Sequence, residues 1–237
     1  MYKLISGKID AIIAVNEALA EWSRRNMKVP AEKIIVINNF PLLNNIIRNS
    51  NPNYFTIVCL ANLRPQKDHE TLVRAVSLLT KQDMPKKLKV ILAGSDDDKD
   101  YTHRIRQLVS DLNLEQIIDM PGPVEDTTSL LAGADCGVLS SVSEGLPVAL
   151  LEYGMARLPV VVTNVGQCAE VVDYGNCGLL VPPGNFEQFS LSLFKLINET
   201  ELRKELGEKL HARITSFYSS KKFLNTYSSF LKEIVKT

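Results

Sequence analysis

Short apolar runs rich in Val and Ile alternate with longer stretches in which apolar positions recur every three or four residues. A continuous apolar run is what a strand buried on both faces shows, whereas a period of about 3.6 residues marks a helix with one buried face. The runs at 55–60, 88–93, 137–139, 159–163 and 178–181 predict strands, with a shorter one at Ile117 and Ile118 ahead of a Pro121-Gly122 turn. Between them the periodicity predicts a helix carrying Leu72, Val76 and Leu79 on one face. Further helices are predicted over 101–112 and 127–132, and another starting near Leu146. Strands alternating with helices predict an α/β fold, a doubly wound parallel sheet of Rossmann-like type. In such a sheet ligands bind beyond the carboxyl ends of the strands.

The flanks read differently. Residues 9–15, I-D-A-I-I-A-V, predict a buried strand, followed by a helix over 17–26 and, after Pro30, a strand over 33–37. One β-α-β unit cannot bury both of its sheet faces, so residues 1–40 read as the remnant of another domain. Residues 41–53 are rich in Asn and Pro without periodicity and read as a linker to the domain at 54–200. Beyond Asn185 only helices are predicted, over 186–198, 200–216 and 220–235, so that 201–237 forms a helical tail with mixed charge.

Charge narrows the partner. Lys plus Arg and Asp plus Glu both total 27 in 237 residues, so nothing calls for nucleic acid or an anionic membrane surface. The four cysteines have no C-x-x-C spacing and read as reduced core thiols. His69, His103 and His211 lack ligand spacing, so no metal is expected. No apolar run approaches the ~20 residues that a spanning helix needs, nor is there a signal-peptide pattern. The expectation is a cytoplasmic chain, with peripheral contact at the inner membrane face left open.

The chemistry concentrates in residues 140–152, S-S-V-S-E-G-L-P-V-A-L-L-E. Pro147 suits the first turn of a helix, where its missing N–H has no intrahelical partner, and the amides and dipole of that end favour an anion. Gly145 lets backbone approach the ligand. Glu144 precedes the helix and Glu152 lies in its second turn. Their separation, on the order of 12 Å if the segment is helical, exceeds the roughly 5 to 9.5 Å of a hydrolase carboxylate pair. Two ends of an extended ligand fit better. Arg64 and Lys67, on the loop after the strand at 55–60, place two cations where a diphosphate would sit, although solvated loop charges would look the same. Asp96, Asp97, Asp98 and Asp100 contain D-x-D spacing, a metal-holding arrangement, but they open a helix and read as its cap. Gly94, Gly122 and Gly166 follow strands without a dinucleotide or P-loop fingerprint. Glu170, four residues after Gly166, marks a further turn at the ligand.

The run S-E-G-L-P-V-A-L-L-E-Y-G-M-A resembles the E-x7-E signature of family 4 of the retaining glycosyltransferases, which have the two-domain GT-B fold. A-N-L-R-P-Q-K-D-H-E-T-L upstream and P-V-V-V-T-N-V-G-Q-C-A-E-V-V downstream extend the resemblance over about residues 9 to 200. It implies the C-terminal, donor-binding domain of an enzyme that transfers a hexosyl-type group from a nucleoside diphosphate sugar to a hydroxyl of a glycan or lipid-linked acceptor, with retention. Glu144 would bind the sugar, and Gly145, Leu146 and Pro147 would line the sugar and distal phosphate. Glu152 would take the ribose, while Lys67 and Arg64 would neutralise the leaving diphosphate without a metal or other cofactor. The chain departs from the pattern at Asn62, where an Arg is usual, with Arg64 expected to substitute. It departs again at Gln167, where a second Gly is usual. The family's N-terminal domain is represented by residues 1–40, so a separate N-terminal chain is one expected partner. The rival readings are a nucleotide-sugar epimerase of the same fold and a non-catalytic nucleotide-sugar binding module or truncated fragment.

Overall fold

The computed structural model describes residues 9–43 and 46–235. The chain divides into two compact units, one holding the residues up to Leu42 with those from Ser216 onward, the other Leu43–Thr215.

In the smaller unit β1 (Ile12–Ala14), α1 (Glu17–Met27) and β2 (Ile34–Val36) form the expected β-α-β motif, its two strands parallel. Asn16 starts the helix by accepting from the Leu19 amide at 2.8 Å, and Lys28 ends it in a left-handed conformation. Ala14, Ala20, Val29 and Ile34 make its core. The last helix, α9 (Ser220–Val235), belongs to this unit, where Phe223 packs against Phe40 with ring centroids 4.9 Å apart.

The larger unit runs β3 (Tyr54–Leu60), α2 (His69–Leu79), β4 (Lys87–Ala93), α3 (Lys99–Asp111), β5 (Ile118–Gly122), α4 (Thr127–Ala132), β6 (Cys136–Leu139), α5 (Val148–Met155), β7 (Val160–Thr163), α6 (Cys168–Val171), β8 (Leu179–Val181), α7 (Phe186–Asn198) and α8 (Thr200–Phe217), whose last residues cross into the smaller unit. The strands form one parallel sheet in the order β5-β4-β3-β6-β7-β8. Phe55, Ile57 and Cys59 of β3 alternate onto the face covered by Leu72, Val76 and Leu79 of α2 and by Phe189 and Leu193 of α7. Burying each such large side chain contributes roughly 1.5 to 3 kcal/mol, which makes this layer the main hold on the sheet. All four cysteines are buried and unbridged.

The structure corrects the expectations at several boundaries. The strand at Ile117 and Ile118 continues through Pro121 to Gly122 instead of turning there. As an edge strand with a register shift against β4, it tolerates a proline that donates no ladder bond. Helix α5 starts at Val148, not near Leu146, because a residue before proline is pushed out of the helical region; Pro147 is the extended cap, with ψ 107°. The four-residue helix α6 has no periodicity by which to be seen. Within the Asn-rich stretch, the Asn49 amide donates to the Ala132 carbonyl at 2.9 Å and Arg48 to that of Ala134 at 2.6 Å, which ties this segment to the larger unit. The expected terminal helices form as α8 and α9, and α8 up to Thr215 lies in the larger unit and α9 in the smaller.

Candidate functional site

The strand order reverses between β3 and β6: chain connections run outward to β4 and β5 on one side and to β7 and β8 on the other. The loops leaving β3 and β6 therefore diverge, and a crevice opens between them. Lys67 comes from the first loop and Glu144 from the second.

The β3 loop is set by backbone. Leu63 N–H donates to the Ser95 carbonyl at 2.8 Å, and the Asn62 amide oxygen accepts from the Ser95 N–H at 3.2 Å, so the loops after β3 and β4 are joined. A Cβ on Gly94 would stand 2.2 Å from the Ala61 carbonyl oxygen, so close approach, beyond turn geometry, requires glycine there. Arg64 caps a single 3-10 turn, Pro65–Lys67, and Asp68 follows at φ 45° to cap α2 by accepting from Thr71.

The β6 loop is pinned by small polar side chains. Ser140 and Ser141 are both 1% exposed. Ser140 Oγ donates to the Lys67 carbonyl at 3.1 Å, and Ser141 Oγ donates to Glu144 Oε1 at 2.6 Å. Lys67 Nζ reaches the same oxygen at 2.6 Å, with the Glu144 side chain only 6% exposed and that of Lys67 18%. Gln66 adds two bonds to this loop, its carbonyl accepting from the Val142 amide and its side-chain amide donating to the Ser143 carbonyl, both at 3.0 Å. An ion pair this enclosed is costly to break from one side, because the remaining charge stays largely desolvated.

A third loop presses from behind. Gly166 has φ 52°, and a Cβ there would lie 1.9 Å from the Glu144 carbonyl oxygen; the Gln167 amide donates to the Gly145 carbonyl at 3.0 Å. The Gln167 side chain turns away, donating to the Glu170 carboxylate at 3.0 Å.

These loops enclose a cleft of about 500 Å³. Of the residues singled out from the sequence, Arg64, Lys67, Glu144, Leu146, Pro147 and Glu152 line it together, and Gly145 lies just behind. Val148 and Ala149, in the first turn of α5, also line it, and Pro147 gives their amides no side-chain acceptor. Burial pushes the Glu152 carboxyl above its ordinary value. Arg64 is exposed at the mouth. Asp98 caps α3 through the Tyr101 amide, Asp97 accepts from Ser95 Oγ and Asp96 pairs with Lys99. His69 is fully buried behind the β3 loop, where burial lowers its pKa to about 4 and keeps it neutral.

Sequence reasoning gave no role to several residues that build the site. Ser140, Ser141 and Thr163 are among them, and so is Tyr153, whose hydroxyl accepts from the Leu60 amide at 2.7 Å and donates to the Val138 carbonyl at 3.2 Å. The available signal was the pair of serines directly after an apolar strand, where a hydroxyl lands at the carboxyl end of the sheet.

The profile of the glycosyl transferases, group 1, matches residues 44–213. Among curated proteins, an exopolysaccharide phosphotransferase of Streptomyces coelicolor is 27% identical over 211 residues, covering 88% of this chain and 22% of its own. A poly(ribitol-phosphate) α-N-acetylglucosaminyltransferase of Staphylococcus aureus is 25% identical over 234 residues, covering 94% and 45%. The chain thus spans less than half the length of these relatives. Among solved structures, the Anabaena protein HepE in complex with UDP and glucose superposes with a TM-score of 0.84 at 21% identity, over 97% of this chain and 65% of its own. The fold is that of GT-B glycosyltransferases.

Proposed function

The chain belongs to the group 1 glycosyl transferases, and on that premise we propose that it is the donor-binding half of a retaining enzyme of family 4 type. In this reading a hexosyl-type group moves from a nucleoside diphosphate sugar to a hydroxyl acceptor with retained anomeric configuration. The observation that carries the reading is the Lys67–Glu144 pair, set across the point where the strand order reverses. A cation, an enclosed carboxylate and a helix N-terminus converge on one cleft, which suits a ligand with a diphosphate at its centre and hydroxyls at its ends.

The roles are those that the family resemblance implies. Glu144 accepts from a sugar hydroxyl, the backbone from Gly145 to Pro147 runs along the sugar and distal phosphate, and Glu152 takes the ribose hydroxyls. Lys67 and Arg64 stabilise the charge that builds on the departing diphosphate, so the reaction calls for no metal. A second α/β body, of the kind to which the β1-α1-β2 motif would belong, orients the acceptor and excludes water. The names of the relatives, an exopolysaccharide phosphotransferase and a poly(ribitol-phosphate) α-N-acetylglucosaminyltransferase, support a polymer acceptor; a lipid-linked acceptor and a place at the cytoplasmic face of a membrane are part of the proposal. Among the described residues no helix is long and apolar enough to cross a membrane; the contact proposed with that face is peripheral. A family of transferases does not favour the epimerase reading.

The test is calorimetric titration of the chain with UDP, GDP and ADP and their glucose conjugates, beside Lys67→Ala and Glu152→Ala. One nucleotide is expected to bind, and each substitution to weaken it. A folded chain that binds none of these ligands refutes the donor site.

A further inference from the structure

Glu144 Oε1 has two donors at the same distance, Lys67 Nζ and Ser141 Oγ, each at 2.6 Å. The two are held in very different ways. Ser141 is fixed to the sheet: it is 1% exposed, and its carbonyl accepts from Thr163 Oγ1 at 2.6 Å, Thr163 being wholly buried at the end of β7. Lys67 is fixed at its backbone, where its amide donates to the Arg64 carbonyl at 2.9 Å and its carbonyl accepts from Ser140 Oγ. Its ammonium sits on a flexible four-carbon stem at the wall of the cleft.

A diphosphate that draws the ammonium to itself must compete with the Glu144 carboxylate, which also repels it. A nucleoside diphosphate without a sugar that wins this competition leaves Glu144, 6% exposed, without its counter-ion. A diphosphate that carries a sugar brings hydroxyl donors that replace the ammonium on Glu144.

Resting on the donor-site reading above, we propose that the Lys67–Glu144 pair is an exchangeable latch and Ser141 the positioning residue that keeps Glu144 in place while Lys67 changes partner. The latch raises the preference of the site for the sugar-loaded donor over the spent nucleoside diphosphate, and Lys67 returning to Glu144 favours release of the latter.

The test compares UDP, GDP and ADP with their glucose conjugates by calorimetry on the parent chain, Glu144→Gln and Ser141→Ala. For the nucleotide that binds the parent, Glu144→Gln is expected to tighten the bare diphosphate by roughly three- to tenfold, since it frees Lys67 and removes a repelling charge. The same change weakens the sugar conjugate. Ser141→Ala is expected to leave the bare diphosphate within about twofold and to lower the ratio of conjugate to bare affinity by several-fold. Bare diphosphate binding that Glu144→Gln weakens or leaves unchanged overturns the latch and leaves the donor site standing. Equal losses for both ligands in Ser141→Ala show a merely structural serine and overturn its assignment. Failure of every nucleotide to bind the parent overturns the donor site and the latch with it. Glu144→Ala, which likewise frees Lys67 and removes the charge, gives the same comparison if Glu144→Gln does not fold.

Discussion

Two clefts open at opposite ends of the same six-stranded sheet. The one at the amino ends is the larger, about 630 Å³ against about 500 Å³ at the carboxyl ends. It lies under the short helix α4 and is lined by Tyr54, Thr56, Lys89, Ile91, Glu115 and Asp119. Its charged residues are exposed and stand apart on separate strands and loops. At the carboxyl ends, Lys67 and Glu144 are drawn together and largely shielded from solvent. Volume therefore does not single out a site here. What differs is that loops diverge and helices begin at the carboxyl ends of parallel strands, so that amides and loop side chains aim into one space. The amino ends receive helix C-termini and the strand faces beneath a helix too short to cover them.

Paired substitutions sharpen this contrast, the largest effect coming from backbone. Gly166→Ala forces a side chain into a left-handed residue and against the Glu144 carbonyl. It is expected to lower the unfolding free energy by roughly 2 to 4 kcal/mol in urea denaturation. Gly133, which lines the amino-end cleft, has φ −84°, and a methyl added there would meet no atom closer than 3.8 Å. Gly133→Ala is expected to change stability by less than about 1 kcal/mol, and in the stabilising direction. Similar losses at both positions would break the comparison.

Next in size is the effect of the cations on nucleotide binding. Lys67→Ala is expected to weaken nucleoside diphosphate binding by roughly 10- to 100-fold, the value of a charge-assisted hydrogen bond. Lys89→Ala, in the other cleft, is expected to leave it unchanged. A loss on Lys89→Ala would move the site to the amino end.

The smallest expected effect is the pH dependence of Glu152. Burial raises its folded-state pKa, so its neutral form is the one that folding tolerates. The contribution is fully present below the unfolded pKa and lost as pH rises through the folded one. Glu152→Gln is therefore expected to melt higher than the parent at pH 7, with the difference shrinking as pH falls through the folded pKa. A constant difference across that range would mean that the carboxylate is solvated and that Glu152 is no more enclosed than the charges of the amino-end cleft.

Much of the fold was legible because its strands are buried on both faces. The apolar runs at 55–60 and 88–93 became β3 and β4 with one residue added at the start of each. Where the apolar signal is short, as at Ile117, the strand outran it, since an edge position forgives a proline. Within the site, Glu144, Pro147 and Glu152 were marked by their place between an apolar run and a helix. The contact of Lys67 with Glu144 was not legible, because 77 residues separate them and no local pattern records which loops meet. Ser141 and Thr163 were invisible for the same reason, since a hydroxyl on a buried strand end looks like any small polar residue until its partner is in place. Asn62 seemed only a missing arginine, yet its amide joins two loops through Ser95.

The alternation of apolar runs with amphipathic segments by itself determined a parallel α/β sheet with helices on its faces, because backbone pairing and burial leave few other arrangements for such a chain. It also determined that candidate ligand groups lie on loops after strands. Only the tertiary structure decided that β3 and β6 are neighbours, that the loops carrying Lys67 and Glu144 face one another, and that α8 and α9 part company after Thr215. Strand order and loop contacts depend on non-local packing, in which Gly94 and Gly166 let backbones close to within reach of one another. Local propensity carries no information about such approaches.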